Sequence, residues 1–254
     1  MPTLDRDGVQ IAYDVVPGPV EASPLLLTHG YGASRAMWRP NLAALAATRT
    51  VVTWDMRGHG QTDSPQDPKL YSHEHTVEDM VAVLDACHIP VAAVGGLSLG
   101  GFMSLDFHRT HPDRVRCLLL FDTGPGFNKD ESRQAWNDYA RRTADRLEHD
   151  GTAALSSSPE VARATANVTG LAHAARGMLT QQNASVIISL RDITVPTLVL
   201  AGADDTNFLA AADYMATTIC HAEKVVVPGA GHAANIDQPS AFNDAVVDFL
   251  ARHA

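Results

Sequence analysis

Basic residues are scarce in this chain of 254 residues: Lys and Arg number 19 against 29 Asp and Glu, giving a formal net charge of -10. Such a balance repels a phosphate backbone, and no clustered basic stretch offsets it, so nucleic acid is not an expected partner. Cysteine is scarcer still. Cys87, Cys117 and Cys220 are scattered, without the close pairing of a zinc site or the even count of a disulfide framework, and are expected to be reduced core thiols. Long hydrophobic runs are missing, since none approaches the roughly 18–20 apolar residues of a membrane span. Met1 to Asp7 also lack the cationic-then-apolar order of a secretory signal. The expectation is a cytoplasmic protein with no membrane partner.

What is present is a core. Hydrophobic residues make up 45% of the chain and charged residues 19%, the profile of a folded globule. Short apolar runs at Leu25–Thr28, Thr50–Trp54 and Val91–Val94 alternate with helical periodicity, the rhythm of an α/β fold with helices over a parallel sheet. Val9 to Val16 reads as an antiparallel edge. Val77, Met80, Val81, Leu84 and Cys87 make one apolar helical stripe, which Pro90 is expected to stop. After the strand-like run Val115–Phe121, Gly124-Pro125-Gly126 opens about 65 residues without strand signal, rich in Ala, Arg, Asp and Ser. Within them Ser156-Ser157-Ser158-Pro159 reads as a loop. Strand patterns resume at Thr197–Ala201 and Lys224–Val227. Phe242, Val246, Phe249 and Leu250 then form a closing amphipathic helix with Pro239 in its first turn.

Gly96-Leu97-Ser98-Leu99-Gly100 stands between the Val91–Val94 strand and a helical stretch from Phe102 to Thr110. A G-x-S-x-G in that context is a nucleophile elbow: small neighbours let a sharp turn present the serine hydroxyl above the sheet. A serine hydroxyl is a weak nucleophile at neutral pH and needs a base held in the right tautomer by a third group. His232 suits that role, on the loop after the Lys224–Val227 strand. For the acid, Asp205 is preferred over Asp204 in Gly202-Ala203-Asp204-Asp205, with Asp122 at the end of the Val115–Phe121 strand as a third option. An oxyanion would meet the backbone N–H groups of Leu99 and of Tyr31 in His29-Gly30-Tyr31-Gly32. His73 and His75 lack metal-site spacing and read as structural.

These motifs resemble the α/β-hydrolase superfamily over the whole chain apart from the insertion. His29–Gly32, Asp55-Met56-Arg57-Gly58-His59-Gly60, Gly96–Gly101, Gly202–Asp205 and Gly231-His232 occur in its order. The segment from Arg57 to Gly60 and the short insertion look most like the branch of small esterases, enol-lactonases and cofactor-free haloperoxidases. The resemblance implies an eight-stranded, mostly parallel sheet flanked by helices, with residues 1–123 and 190–254 as the hydrolase core. Residues 124–189 would be a helical cap inserted after the sixth strand. It also implies Asp205 as the acid and a structural turn at Asp55–Gly60, and the triad chemistry itself requires no cofactor or metal. Haloalkane dehalogenase and epoxide hydrolase chemistry are disfavoured, because those relatives carry Asp where this elbow has Ser98.

In the insertion Trp136, Tyr139, Leu147, Met178 and Leu179 are candidates either for a pocket over Ser98 or for the cap's own core. Met103, Phe127 and Phe208 flank the same loops and are substrate-binding candidates alongside Trp136 and Tyr139. The short cap, rich in Ala, Ser and Thr, suggests a compact apolar acyl or lactone group. The expected activity is therefore hydrolysis of a small carboxylic ester or lactone through an acyl-enzyme on Ser98, with a small-molecule substrate. Carbon–carbon bond hydrolysis, perhydrolysis or cofactor-free oxygenation by the same triad is one alternative. A small-molecule receptor with a slow or vestigial triad is another.

Overall fold

The structure is a computed structural model that describes residues 2–155, 159–161 and 167–254; of the loop expected at Ser156–Pro159, residues 156–158 lie outside them and Pro159 is in a turn. Its strands are β1 (Thr3–Arg6), β2 (Val9–Val16), β3 (Leu25–Thr28), β4 (Val51–Trp54), β5 (Ala92–Leu97), β6 (Val115–Phe121), β7 (Thr197–Gly202) and β8 (Ala222–Val227). They form one sheet in the order β1-β2-β4-β3-β5-β6-β7-β8. β2 pairs antiparallel with β1 and β4, and every later pairing is parallel.

The central strands are legible because both faces are covered. β3 and β4 are buried at all positions, and such strands read as unbroken apolar runs rather than alternating ones. Val9–Val16 is antiparallel as expected, but it is not the outermost strand. β1 lies beyond it, joined through a turn at Asp7 and Gly8, both with positive φ.

The helices are α1 (Arg39–Ala46), α2 (His73–Ala86), α3 (Leu99–Thr110), α4 (Asp130–Asp150), α5 (Val168–Ala174), α6 (Ser185–Ser189), α7 (Leu209–Thr218), α8 (Ala234–Asp237) and α9 (Pro239–His253). α2 buries Val77, Met80 and Leu84 as the periodicity requires. It ends before Pro90 acts: His88 takes φ 56, and the N–H groups of His88 and Ile89 turn back to the carbonyls of Asp85 and Leu84. That is a Schellman turn. α9 opens on Pro239 and buries Phe242, Val246, Phe249 and Leu250 against the opposite face of the sheet. Between β6 and β7 run α4, α5 with a π-helical turn at Ala175–Leu179, and α6. Ala144 and Leu147 of α4 pack there against Leu171, Ala172 and Ala175. Of the cysteines, Cys117 is buried in the core, Cys87 is half-buried and Cys220 is exposed, so the expectation of three core thiols holds for Cys117 alone. Cys220 follows the end of α7, where the chain runs over the surface.

From β3 the chain moves outward to β4 and then returns to place β5 on the other side of β3. The direction of winding reverses there, so the loops leaving β3 and β5 diverge and open a crevice at the strands' carboxyl ends.

Candidate active site

β5 delivers Ser98 into that crevice. Ser98 has φ 54 and ψ -116, a left-handed conformation that costs a non-glycine residue about 1–3 kcal/mol and survives only where its surroundings impose it. The imposing contacts are short-range. A Cβ on Gly96 would stand 2.5 Å from the Thr28 carbonyl oxygen, and one on Gly100 would stand 2.3 Å from that same atom. β3 and the start of α3 therefore pinch the turn from two sides. The Ser98 N–H donates to the Phe121 carbonyl (2.9 Å), and its own carbonyl accepts from Thr123 Oγ1 (2.6 Å). Leu99 opens α3, so its N–H belongs to the first turn, where helices leave donors unpaired.

The loop after β3 brings a second donor. A Cβ on Gly30 would lie 3.5 Å from Ser98 Cβ, so the two turns touch. The Gly30 carbonyl accepts from His29 Nδ1 (2.7 Å) and from the Ala33 N–H (3.1 Å). Because the peptide unit is planar and trans, pinning that carbonyl also fixes the opposite direction of the Tyr31 N–H. Among the described residues nothing pairs with the Tyr31 N–H. Its phenol donates to the Leu171 carbonyl (2.8 Å), tying the loop to α5, and burial pushes the phenol up.

His232 and Asp205 arrive on the loops after β8 and β7. His232 Nδ1 donates to Asp205 Oδ2 at 2.6 Å, which leaves Nε2 with its lone pair. Asp205 is 6% exposed. Asp204, its neighbour, is exposed, and Asp122 makes no hydrogen bond to His232 among the described residues. Burial alone would lower the His232 imidazole. The hydrogen bond and charge of Asp205, with the charges of Asp122 and Glu160, outweigh it and raise the group above its ordinary value. Phe208 lies on the imidazole, ring centres 5.0 Å apart and 30° between planes.

Ser98, His232, Tyr31 and Leu99 line one cavity of about 600 Å³, within the range of small-molecule sites. Of the expected substrate-binding residues Trp136, Tyr139, Phe127 and Phe208 line it; Met103 does not. Met103 is wholly buried in the core beneath the sheet-facing side of α3, while Phe102, one position back and about 100° around the helix, takes the cavity wall. Leu179 also lines the cavity, whereas Leu147 and Met178 are buried in the packing around it. Sequence reasoning missed Glu160, Gln181 and Asn207, which supply polar groups to the wall. Only Asn207 carried a signal, two residues beyond Asp205. His73 Nε2 pairs with the Met178 carbonyl and His75 with Ser72, as structural histidines do.

Beneath the Tyr31 loop the Asp55–Gly60 segment acts as a buried brace. Arg57 makes a two-point pair with Asp79 of α2 (2.7 and 2.8 Å), and Arg35 joins Asp55 and Asp14. His59 packs on His29 with ring centres 5.0 Å apart. Burial is the main cause that lowers His29 to about 4 and His59 to about 3 from an ordinary 6.5, with the His29 charge pushing His59 further down. The unfolded chain therefore binds protons that the folded chain refuses, and stability present above pH 6.5 is lost as pH falls toward those values. Each histidine adds a slope of about 1.4 kcal/mol per pH unit in that window. Urea unfolding at pH 6.5, 5.5 and 4.5 is expected to show this acid limb, and His59→Gln to remove one group's share; an unchanged slope in the variant would contradict it.

Known proteins resemble this chain in sequence and fold. Residues 25–245 match the family model described as alpha/beta hydrolase family. The 3-oxoadipate enol-lactonase 2 of Acinetobacter baylyi is 27% identical, over 98% of this chain and 96% of that protein. Among solved structures, the enol-lactonase from Burkholderia xenovorans LB400 superposes with TM-score 0.79 at 26% identity, covering 98% of this chain and all of that one. A thermophilic esterase from Thermogutta terrifontis reaches TM-score 0.84 at 26% identity, covering 99% and 97%.

Proposed function

The chain belongs to the α/β-hydrolase family, and from that premise we propose that it is a serine hydrolase cleaving a small carboxylic ester or lactone. The observation that carries the reading is that His232, hydrogen-bonded to the buried Asp205, lines the same cavity as a serine held at φ 54. In the first half-reaction Nε2 of His232 takes the Ser98 proton as Oγ attacks the substrate carbonyl. The oxyanion is received by the N–H groups of Tyr31 and Leu99, and the imidazolium returns its proton to the leaving alcohol oxygen. Water then attacks the acyl-enzyme with His232 again as base, and the acid is released. Asp205 holds the imidazole in the productive tautomer and stabilises its charged form. Residues 124–189 serve in this reading as the cap over the site, Phe127, Trp136, Tyr139, Glu160, Leu179 and Gln181 being among its contributions to the wall. The similarity to enol-lactonases and an esterase supports the same substrate class.

Incubation with a fluorophosphonate is expected to label Ser98 covalently, and short-chain p-nitrophenyl esters and a panel of γ- and δ-lactones to be turned over. Absence of both labelling and turnover would sink the reading. Labelling with turnover confined to β-diketones, or to peracid formation, would move the reaction to carbon–carbon hydrolysis or perhydrolysis on the same residues.

A further inference from the structure

One fixed polar group on the cavity wall has no part in the mechanism above. Gln181 follows the π-helical turn at Ala175–Leu179, lines the cavity and is otherwise buried, at 8% exposed. Adjacent residues of α4 hold its segment. Trp136 Nε1 donates to the Leu179 carbonyl (2.7 Å), while Asn137 accepts from the Gln181 N–H (2.7 Å) and donates to the Gln181 carbonyl (2.9 Å). The side chain is fixed as well. Oε1 accepts from the Phe127 N–H (3.2 Å), and the carboxamide lies on Gly126, where a Cβ would stand 2.7 Å from Oε1. Gly126 has φ 87, so glycine serves there both for its backbone and for its missing side chain. Because an N–H must meet an acceptor, the Phe127 bond identifies the oxygen of the carboxamide and leaves Nε2 as the other arm. Nε2 carries two donor hydrogens, has no protein acceptor among the described residues, and is open to the cavity rather than sealed in the core.

We infer that Gln181 determines specificity by donating from Nε2 to a ketone oxygen of the substrate, a second carbonyl besides the scissile one. Other donors on the wall are already engaged with the protein: Trp136 Nε1 with the Leu179 carbonyl, Thr123 Oγ1 with the Ser98 carbonyl and the Tyr31 hydroxyl with the Leu171 carbonyl. A residue needed only to anchor the Phe127 N–H would need only the oxygen. Water serves a free N–H until a ligand displaces it; the ligand must then bring an acceptor or leave the donor unpaired at a cost. The neighbouring wall is apolar, with Phe127, Trp136 and Leu179 beside Gln181. The substrate class narrows accordingly to an ester or lactone with an apolar chain that carries one ketone. That class rests on the hydrolase reading, whereas the hydrogen bond from Nε2 does not.

The test compares wild type with Gln181→Glu, which keeps an oxygen for the Phe127 N–H and turns the arm open to the cavity from donor to acceptor. kcat/KM is measured on three matched pairs: ethyl 4-oxopentanoate and ethyl pentanoate, ethyl 5-oxohexanoate and ethyl hexanoate, 4-oxopentyl acetate and pentyl acetate. Each pair is read as the ratio of oxo ester to alkyl ester, so intrinsic reactivity cancels between the two proteins. The expected result is a ratio that falls about five- to tenfold in the variant for at least one pair. A fall of less than about threefold at every pair overturns the inference. Should the variant fail to fold, or should no ester be turned over, NMR of the Gln181 side-chain amide in Ser98→Ala decides. Its protons should move downfield on titration with an oxo ester and not with the matching alkyl ester; the same response to both overturns the inference. Absence of turnover would count against the proposed function and leave the NMR result standing.

Discussion

Ser98→Ala is expected to lower ester turnover by a factor on the order of 10⁴ to 10⁶, and His232→Ala by a similar factor. Combining the two should cost little more than either alone. The reason is mechanical: without Oγ there is no nucleophile for Nε2 to activate, and without Nε2 the hydroxyl stays protonated. Asp205→Asn should cost on the order of 10⁴, because a carboxamide can donate to Nδ1 and select the wrong tautomer. A residue of activity is expected in all these variants, since the Tyr31 and Leu99 N–H groups still receive charge developing on a bound carbonyl. Steady-state kinetics on the fastest ester of the panel, with thermal unfolding to confirm folding, checks the pattern. Losses for Ser98→Ala and His232→Ala that multiply in the double variant would show that the two side chains act independently and would remove the shared step.

How much of this was legible in the residues depends on where the information lies. Leu25–Thr28 and Val115–Phe121 were readable to the residue because parallel central strands bury both faces, which shows as a nearly unbroken apolar run, interrupted in the second only by the exposed Arg116. β1 was not, since its four residues Thr3 to Arg6 alternate exposed and half-buried positions at the rim and carry little apolar signal. The elbow was readable because its glycines are demanded locally, by the approach of β3 and α3. The preference for Asp205 over Asp204 rested on spacing, and the reason behind it is visible only in three dimensions. Asp204 points to solvent and Asp205 reaches Nδ1 of His232. The cavity wall was the least legible part. Phe102 and Met103 are adjacent in the chain and differ by one helical step, so nothing in their order tells which faces the substrate. Glu160, Gln181 and Asn207 meet only because three distant segments converge, and no spacing records that.

Gly100→Ala is expected to destabilise the protein by roughly 3 kcal/mol or more, and the sign is the informative part. Gly100 lies in the first turn of α3, and helix propensity taken alone would make alanine there better by about 1 kcal/mol. Against that stands a Cβ 2.3 Å from the Thr28 carbonyl oxygen and 2.6 Å from that of His29. Both obstacles are backbone at the end of a buried central strand, so no rotamer change can yield the missing ångström. β3 must move, and it carries the Gly30–Tyr31 peptide with it. The variant should therefore lose turnover beyond what its stability loss explains, because the Tyr31 donor shifts relative to Ser98. Gly101→Ala is the comparison, since its nearest obstacle is the Thr123 side chain at 2.6 Å, which has more freedom to give way; its loss of stability should be the smaller. Urea unfolding and kcat measured on both variants decide the matter. A Gly100→Ala protein as stable as the parent would mean that the close approach of β3 does not shape the elbow, and the strain at Ser98 would need another cause.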